Sequence, residues 1–205
     1  MAGTGTGTAA TGITEPVTLT EVKKHLRLVT TTTEAEAYTT EDDLLNRLII
    51  AARAQAEQET GRRFITQTLT YYLKQWPNES YIKIPYPPLQ SATITYRLTG
   101  DDDYDNTLTT ADVDIVSEPG RIILQPNESW PSGTLYTDNP IKITFACGYG
   151  LAVAVPDNIK SAILLKISDL YEHRGELVVG LQVNRIIGAV DSLLMQYRIH
   201  SEFDL

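Results

Sequence analysis

The sequence predicts an α+β chain in which a helical bundle, drawn from both ends, is interrupted by an antiparallel β domain. Three observations carry this expectation. Apolar residues recur with a 3.6-residue period up to about residue 62 and again after residue 155, whereas between residues 63 and 150 the period is 2. Helix-start residues stand where the helical periods begin. Gly, Pro, Asn and Asp separate the alternating runs, as turns between short strands require. The expected divisions are a flexible arm over 1–14, a helical bundle over 15–62 and 155–200, a β domain over 63–154, and an exposed tail over 201–205.

Residues 1–14 are mostly Gly, Thr and Ala, with little to bury. GTGTGT lacks both the Lys-Ser/Thr and the preceding strand of a phosphate loop. TLTEVKKHLRL places Glu21 three residues after Thr18, the spacing of a capping box, and a short helix follows with Leu19, Val22 and Leu26 on one face. The threonine-rich TTTTEAEAYTT then reads as a loop. EDDLLNRLIIAARAQAEQETG reads as a longer helix: Glu41, Asp42 and Asp43 favour its N-terminal dipole, and Gly61 ends it. Leu44, Leu45, Leu48, Ile49, Ala52 and Ala56 form its stripe, from which Ile50 points away.

In the middle of the chain FITQTLTYYLKQW, YIKI, SATITYRL, VDIV, RIIL and IKITFAC read as strands. VPDNIKSAILLKISDLYEHRGE then returns to helical spacing, with Pro156 in the first turn, Asp157 offsetting the dipole and Gly175 as a stop. Ile159, Ile163, Ile167 and Leu170 form a stripe, widened by Leu164 and Tyr171. Burying these six side chains is a gross gain of about 9–18 kcal/mol before ordering costs. Leu165 lies roughly opposite that stripe and needs a neighbour from elsewhere. GAVDSLLMQYRIHSEFDL offers a last short helix through Leu193, Leu194 and Tyr197.

Composition narrows the function classes. The net charge of −9 argues against a broad phosphate-binding surface. Among 205 residues no run approaches the ~20 apolar residues of a membrane span, and the N-terminus has no basic-then-apolar signal pattern. One cysteine, Cys147, excludes an internal disulfide and fits a reducing cytoplasm; its place among alternating strand residues makes it a core side chain. His25, His173 and His200 lie far apart, and no metal or cofactor is expected. Asp101, Asp103, Asp105 and Asp112 match four positions of a calcium-loop spacing. Asn106 stands where that loop needs Gly, however, so an acidic hairpin loop is the preferred reading. PNES at 77–80 and 126–129 marks turns rather than glycosylation sites. Arg53, Arg62 and Arg63 form a small basic group that could meet a partner. With Ile50, Leu165, Tyr197, Phe203 and Leu205 they are the candidate interface residues.

Seven pieces in order over roughly residues 15–200 resemble the head–tail connector (adaptor) proteins of tailed bacteriophages, a family also found in prophages and gene-transfer particles. They are VTLTEVKKHLRL, EDDLLNRLIIAARAQAEQETGRRFITQTLTYYLKQWP, IKIPYPPLQSATITYR, EPGRIIL, ITFACGYG, VPDNIKSAILLKISDLYEHRGE and LLMQYRI. The resemblance implies a structural virion protein without catalytic residues or cofactor, made in the host cytoplasm and resident in the neck. It implies a ring, generally of twelve copies, beneath the portal. That ring extends the DNA channel, through which DNA passes without sequence-specific binding, and carries the next neck or tail protein. The helical bundle resembles the portal-docking part and the β domain an insertion of longer members. The arm and the threonine-rich segment depart from the family pattern. A stopper or tail-completion protein is the alternative. A carbohydrate-binding module or small hydrolase using Trp76 and Trp130 is a distant one.

Overall fold

A computed structural model describes residues 14–109, 112–173 and 187–199. The chain is α+β and forms two compact units, one from the described residues of 66–149 and the other from residues 14–65 with 150–173 and 187–199. Arg63, Phe64 and Ile65 thus belong with the helices, and Phe64 and Ile65 are buried there.

The helical unit begins with α1 (Leu19–His25), whose N-cap Thr18 and Glu21 form the reciprocal capping box. The next element corrects the expected loop. Thr32–Ala37 is a helix, α2, with a second capping box made by Thr31 and Glu34. Helix α3 (Asp42–Thr60) follows and ends at Gly61, whose φ of 71° is the left-handed cap conformation that glycine adopts without penalty. A 3-10 turn at Ala152–Ala154 leads to α4 (Asp157–Glu172). Pro156 is the N-cap residue of that helix rather than part of its first turn, and His173 is its C-cap. The expected stop at Gly175 lies outside the described residues. The last helix is α5 (Ile187–Met195).

Helix α4 packs on α3 and α5, and α1 packs on α2, α3 and α4. The core is Val22, Leu45, Ile49, Ala52 and Ala56 against Ile159, Ala162, Ile163, Ile167 and Leu194. The buried face of α4 is narrower than its composition implies. Ala162 completes it, while Leu164, Leu165, Leu170 and Tyr171 are only half-buried.

The β unit contains two antiparallel sheets. One has the order β1-β7-β3-β4, from β1 (Gln67–Leu73), β3 (Leu89–Tyr96), β4 (Asn106–Thr107) and β7 (Ile141–Cys147). The other runs β2-β6-β5, from β2 (Tyr81–Lys83), β5 (Val113–Val116) and β6 (Arg121–Leu124). Strand β7 lies between β1 and β3, pairing Leu69 with Phe145, Tyr71 with Ile143, and Ile94 with Ile143. Its alternation is strict: Ile141, Ile143, Phe145 and Cys147 face a core that also holds Leu69, Ile82, Leu89, Ile94 and Ile122. Leu98 falls beyond β3, in a single bridge to Leu135, and β4 interrupts the segment read as an acidic loop.

Candidate assembly surface

In a folded chain buried charges must be matched by partners of opposite charge or by hydrogen bonds. Helix α3 carries Glu57 on its buried face, with only 3% of the side chain exposed. Its Oε2 accepts from Arg53 Nη1 at 3.0 Å and from Arg63 Nη1 at 3.3 Å, and its Oε1 accepts from the Phe64 amide at 2.9 Å. Arg53 also donates to Glu15 at 2.7 Å. Arg62 Nε donates to the Tyr197 carbonyl at 2.5 Å. The expected basic contact spot is therefore an internal network. It fastens the residues flanking α3, and Arg53 and Arg63 are directed inward by Glu57.

A second buried charge was not foreseen. Lys23 on α1 is enclosed, and its ammonium donates to the Ala35 carbonyl at 2.7 Å and to the Tyr38 carbonyl. It also pairs with Asp42 at 2.6 Å. Lys166 on α4 meets Glu59 on α3 at 2.6 Å, and Tyr171 donates to Glu41 at 2.7 Å.

The apolar candidates divide. Ile50 is half exposed on the outer face of α3, beside exposed Arg47, Ala51 and Ala54. Leu165 is half-buried on α4, neither enclosed nor bare, and Tyr197 is half-buried just after α5. Phe203 and Leu205 lie outside the described residues. Two residues that sequence reasoning passed over are the most exposed large apolar side chains among the described residues: Leu151 at 73% and Val153 at 84%, at the start and middle of the 3-10 turn before α4. The run GLAVAVP, apolar yet too short for a helix and bounded by Gly and Pro, is the signal that could have found them. Met195 and Ile199 are exposed at the other end of the chain.

The remaining candidates do not assemble into a chemical site. Asp101 accepts from the Leu98 amide at 2.8 Å and from Asn106 at 2.7 Å, and Asp112 accepts from the Thr109 hydroxyl. These carboxylates hold turns. Among the described residues no group of three or more His, Cys, Asp and Glu is placed to bind a metal, so the calcium spacing with Asp103 and Asp105 is not realised in space. Trp76 and Trp130 stack on each other at 5.2 Å with rings 6° apart, and Trp76 meets Tyr96 edge-on. Both indoles also pack on the β core, so they do not form an open sugar platform. Cys147 is fully buried and its thiol donates to the Gln67 carbonyl. His173 closes α4 through its contacts with Asp169, and His200 lies outside the described residues. Burial raises the Tyr104 phenol above its ordinary pKa. No helix among the described residues is long and apolar enough to cross a membrane.

No protein-family model matches the chain, and no curated protein matches it. Solved structures do. A chain in the neck of an empty gene transfer agent (GTA) particle, computed with C6 symmetry, aligns with a TM-score of 0.76 and 21% identity over 96% of both chains. One in the virion of the native GTA particle gives 0.73 and 20%, covering 96% of this chain and 95% of that one. One in the neck of the native particle, computed with C12 symmetry, gives 0.64 and 18%, covering 93% and 96%. What the chains share is the fold. The matched length includes the strands as well as the helices, so the β unit has its counterpart in those particles too.

Proposed function

We propose that this chain is a non-catalytic structural protein of the neck of a phage-like particle. Within the neck it acts as the head–tail connector: a homo-oligomeric ring that docks on the portal, continues the DNA channel and carries a stopper or tail-completion protein. The observation that carries this reading is the match over 96% of both chains to a particle-neck structure. The symmetries of the two neck structures, C6 and C12, support the ring. A rotational ring closes through a heterologous contact, in which two different surfaces of each copy meet. Ile50 on α3, with Leu151 and Val153 on the turn before α4, supplies apolar surface suited to such a contact. The half-buried Leu165 and the tail residues Tyr197, Phe203 and Leu205 are further candidates. The net charge of −9 suits a conduit wall, because like charge repels phosphate and keeps DNA from adhering.

The test is negative-stain imaging and native mass spectrometry of the pure chain, alone and mixed with a portal protein from the same source. Rings, alone or on the portal, are expected. A monomer that neither assembles nor binds the portal overturns the reading. Capture of a tail terminator in place of the portal would instead assign the stopper role.

A further inference from the structure

We propose that α2 is a separable clip, held shut on α1 by the Lys23 ammonium and able to open as a unit while α3, α4 and α5 stay packed. Its six residues make fewer than two turns, a length with no stability of its own in water. Of those six only Ala35 is buried, so apolar packing contributes little to holding the helix in place. The neighbour it packs on is α1.

Polar contacts do the holding. At the N-terminus the Thr31–Glu34 box closes the first turn, and Lys24 donates to Thr32 at 2.8 Å. At the C-terminus the Ala35 and Tyr38 carbonyls, left over where the helix stops, both accept from Lys23. The third partner of the ammonium is Asp42, the first residue of α3. The two carbonyls take hydrogen bonds from the ammonium, and the Asp42 carboxylate, 2.6 Å away, balances its charge as an ion pair. A buried cation tolerates nothing less. Lifting α2 removes two of the three partners together, so water must enter as the helix leaves. Closure is therefore all-or-none.

The bundle proper rests on different forces. Helices α3 and α4 meet through Leu45, Ile49, Ile159, Ile163 and Ile167, all buried. That difference places α2 at the low-stability end of the helical unit, where elements open locally. Opening also changes the surface. Lys24, His25 and Arg27 are already exposed, and an open clip adds Lys23 to them. The open state then presents a cationic end of α1, whereas the closed state withholds one charge of that run.

Hydrogen exchange on the full-length chain, paired with acylation by an N-hydroxysuccinimide ester, tests this. The Ala35 and Tyr38 amides, both hydrogen-bonded within the helix, are expected to exchange at least tenfold faster than those of Leu45 and Ile163. Lys23 should acylate at least tenfold more slowly than Lys24, at a rate that follows α2 exchange as temperature is varied. Lys23→Met should quicken α2 exchange a further tenfold or more while α3 and α4 stay within twofold; Lys24→Met should leave α2 within threefold. The proposal fails if α2 exchange and Lys23 acylation both follow α3, or if Lys23→Met loosens every helix alike. Should that variant not fold, the wild-type comparison decides the matter by itself.

Discussion

Two buried charges set the character of the helical unit. Glu57 joins Arg53, Arg63 and the Phe64 amide, so removing its carboxylate takes an acceptor from two guanidinium groups and from a backbone donor. Breaking a buried pair from one side costs about 3–5 kcal/mol. Glu57→Ala is expected to lose that much in urea unfolding, and Glu57→Gln, which keeps an acceptor, distinctly less. Glu34 behaves differently because it is exposed. The Thr30 amide and hydroxyl, then the Thr31 amide, donate to its carboxylate and hold its pKa below the ordinary 4.5. A folded pKa lowered in this way contributes stability that is fully present above 4.5 and is lost as pH falls through the lower folded value. Carbon-detected titration of Glu34 should give a midpoint below 4.5, and the protection of α2 amides relative to their intrinsic exchange rates should fall beneath it. Sequence alone could have placed Glu57, which stands eight residues after Ile49 and next to Ala56 on the buried stripe. It could not have placed Lys23. A run such as KKHLR reads as a solvated face, and its acceptors come from Ala35, Tyr38 and Asp42, outside the helix that carries it.

Among elements, those with a long period were legible and those with conflicting local signals were not. Helix α3 and strand β7 announce themselves through Leu45–Ile49–Ala52–Ala56 and Ile141–Ile143–Phe145–Cys147, because each residue of the pattern is also a residue of the core. Helix α2 has the same capping-box spacing as α1, yet four consecutive threonines, each β-branched, weigh against a helix, and no apolar stripe offsets them. The overestimate of α4 has a similar origin. A wheel counts Leu164, Leu170 and Tyr171 together with Ile163, whereas the neighbours α1, α3 and α5 cover only one sector. The end of α3 invites a direct test. Gly61 sits at φ 71°, and a methyl added there comes within 3.3 Å of Ile199 Cδ1, while the Ile199 amide donates to the Thr60 carbonyl. Gly61→Ala is expected to lower stability by about 1–2 kcal/mol and to loosen residues 197–199, as thermal unfolding and amide exchange would register.

At the scale of the whole molecule, the α+β order and the change of period near residue 63 were plain in the sequence. The exposed turn at Leu151 and Val153 was not, since a short apolar run shows nothing of what it faces. For the proposed ring the discriminating variant is Ile50→Lys. The site is half exposed, so the monomer should keep its melting temperature within about 2 °C, while rings disappear from native mass spectra or from portal mixtures. Persistence of rings would move the contact elsewhere on the chain. The position of β7 bears on how the protein is made. Both of its neighbours, β1 and β3, leave the ribosome long before it does, and the four-stranded sheet has no centre until residue 147 has been synthesised. At ordinary elongation rates β1 waits roughly 4–15 s for its partner. During that interval Leu69, Tyr71 and Ile94 are unpaired, sticky surface on a nascent chain, so a translational stop short of Cys147 would yield an aggregating fragment instead of a smaller domain.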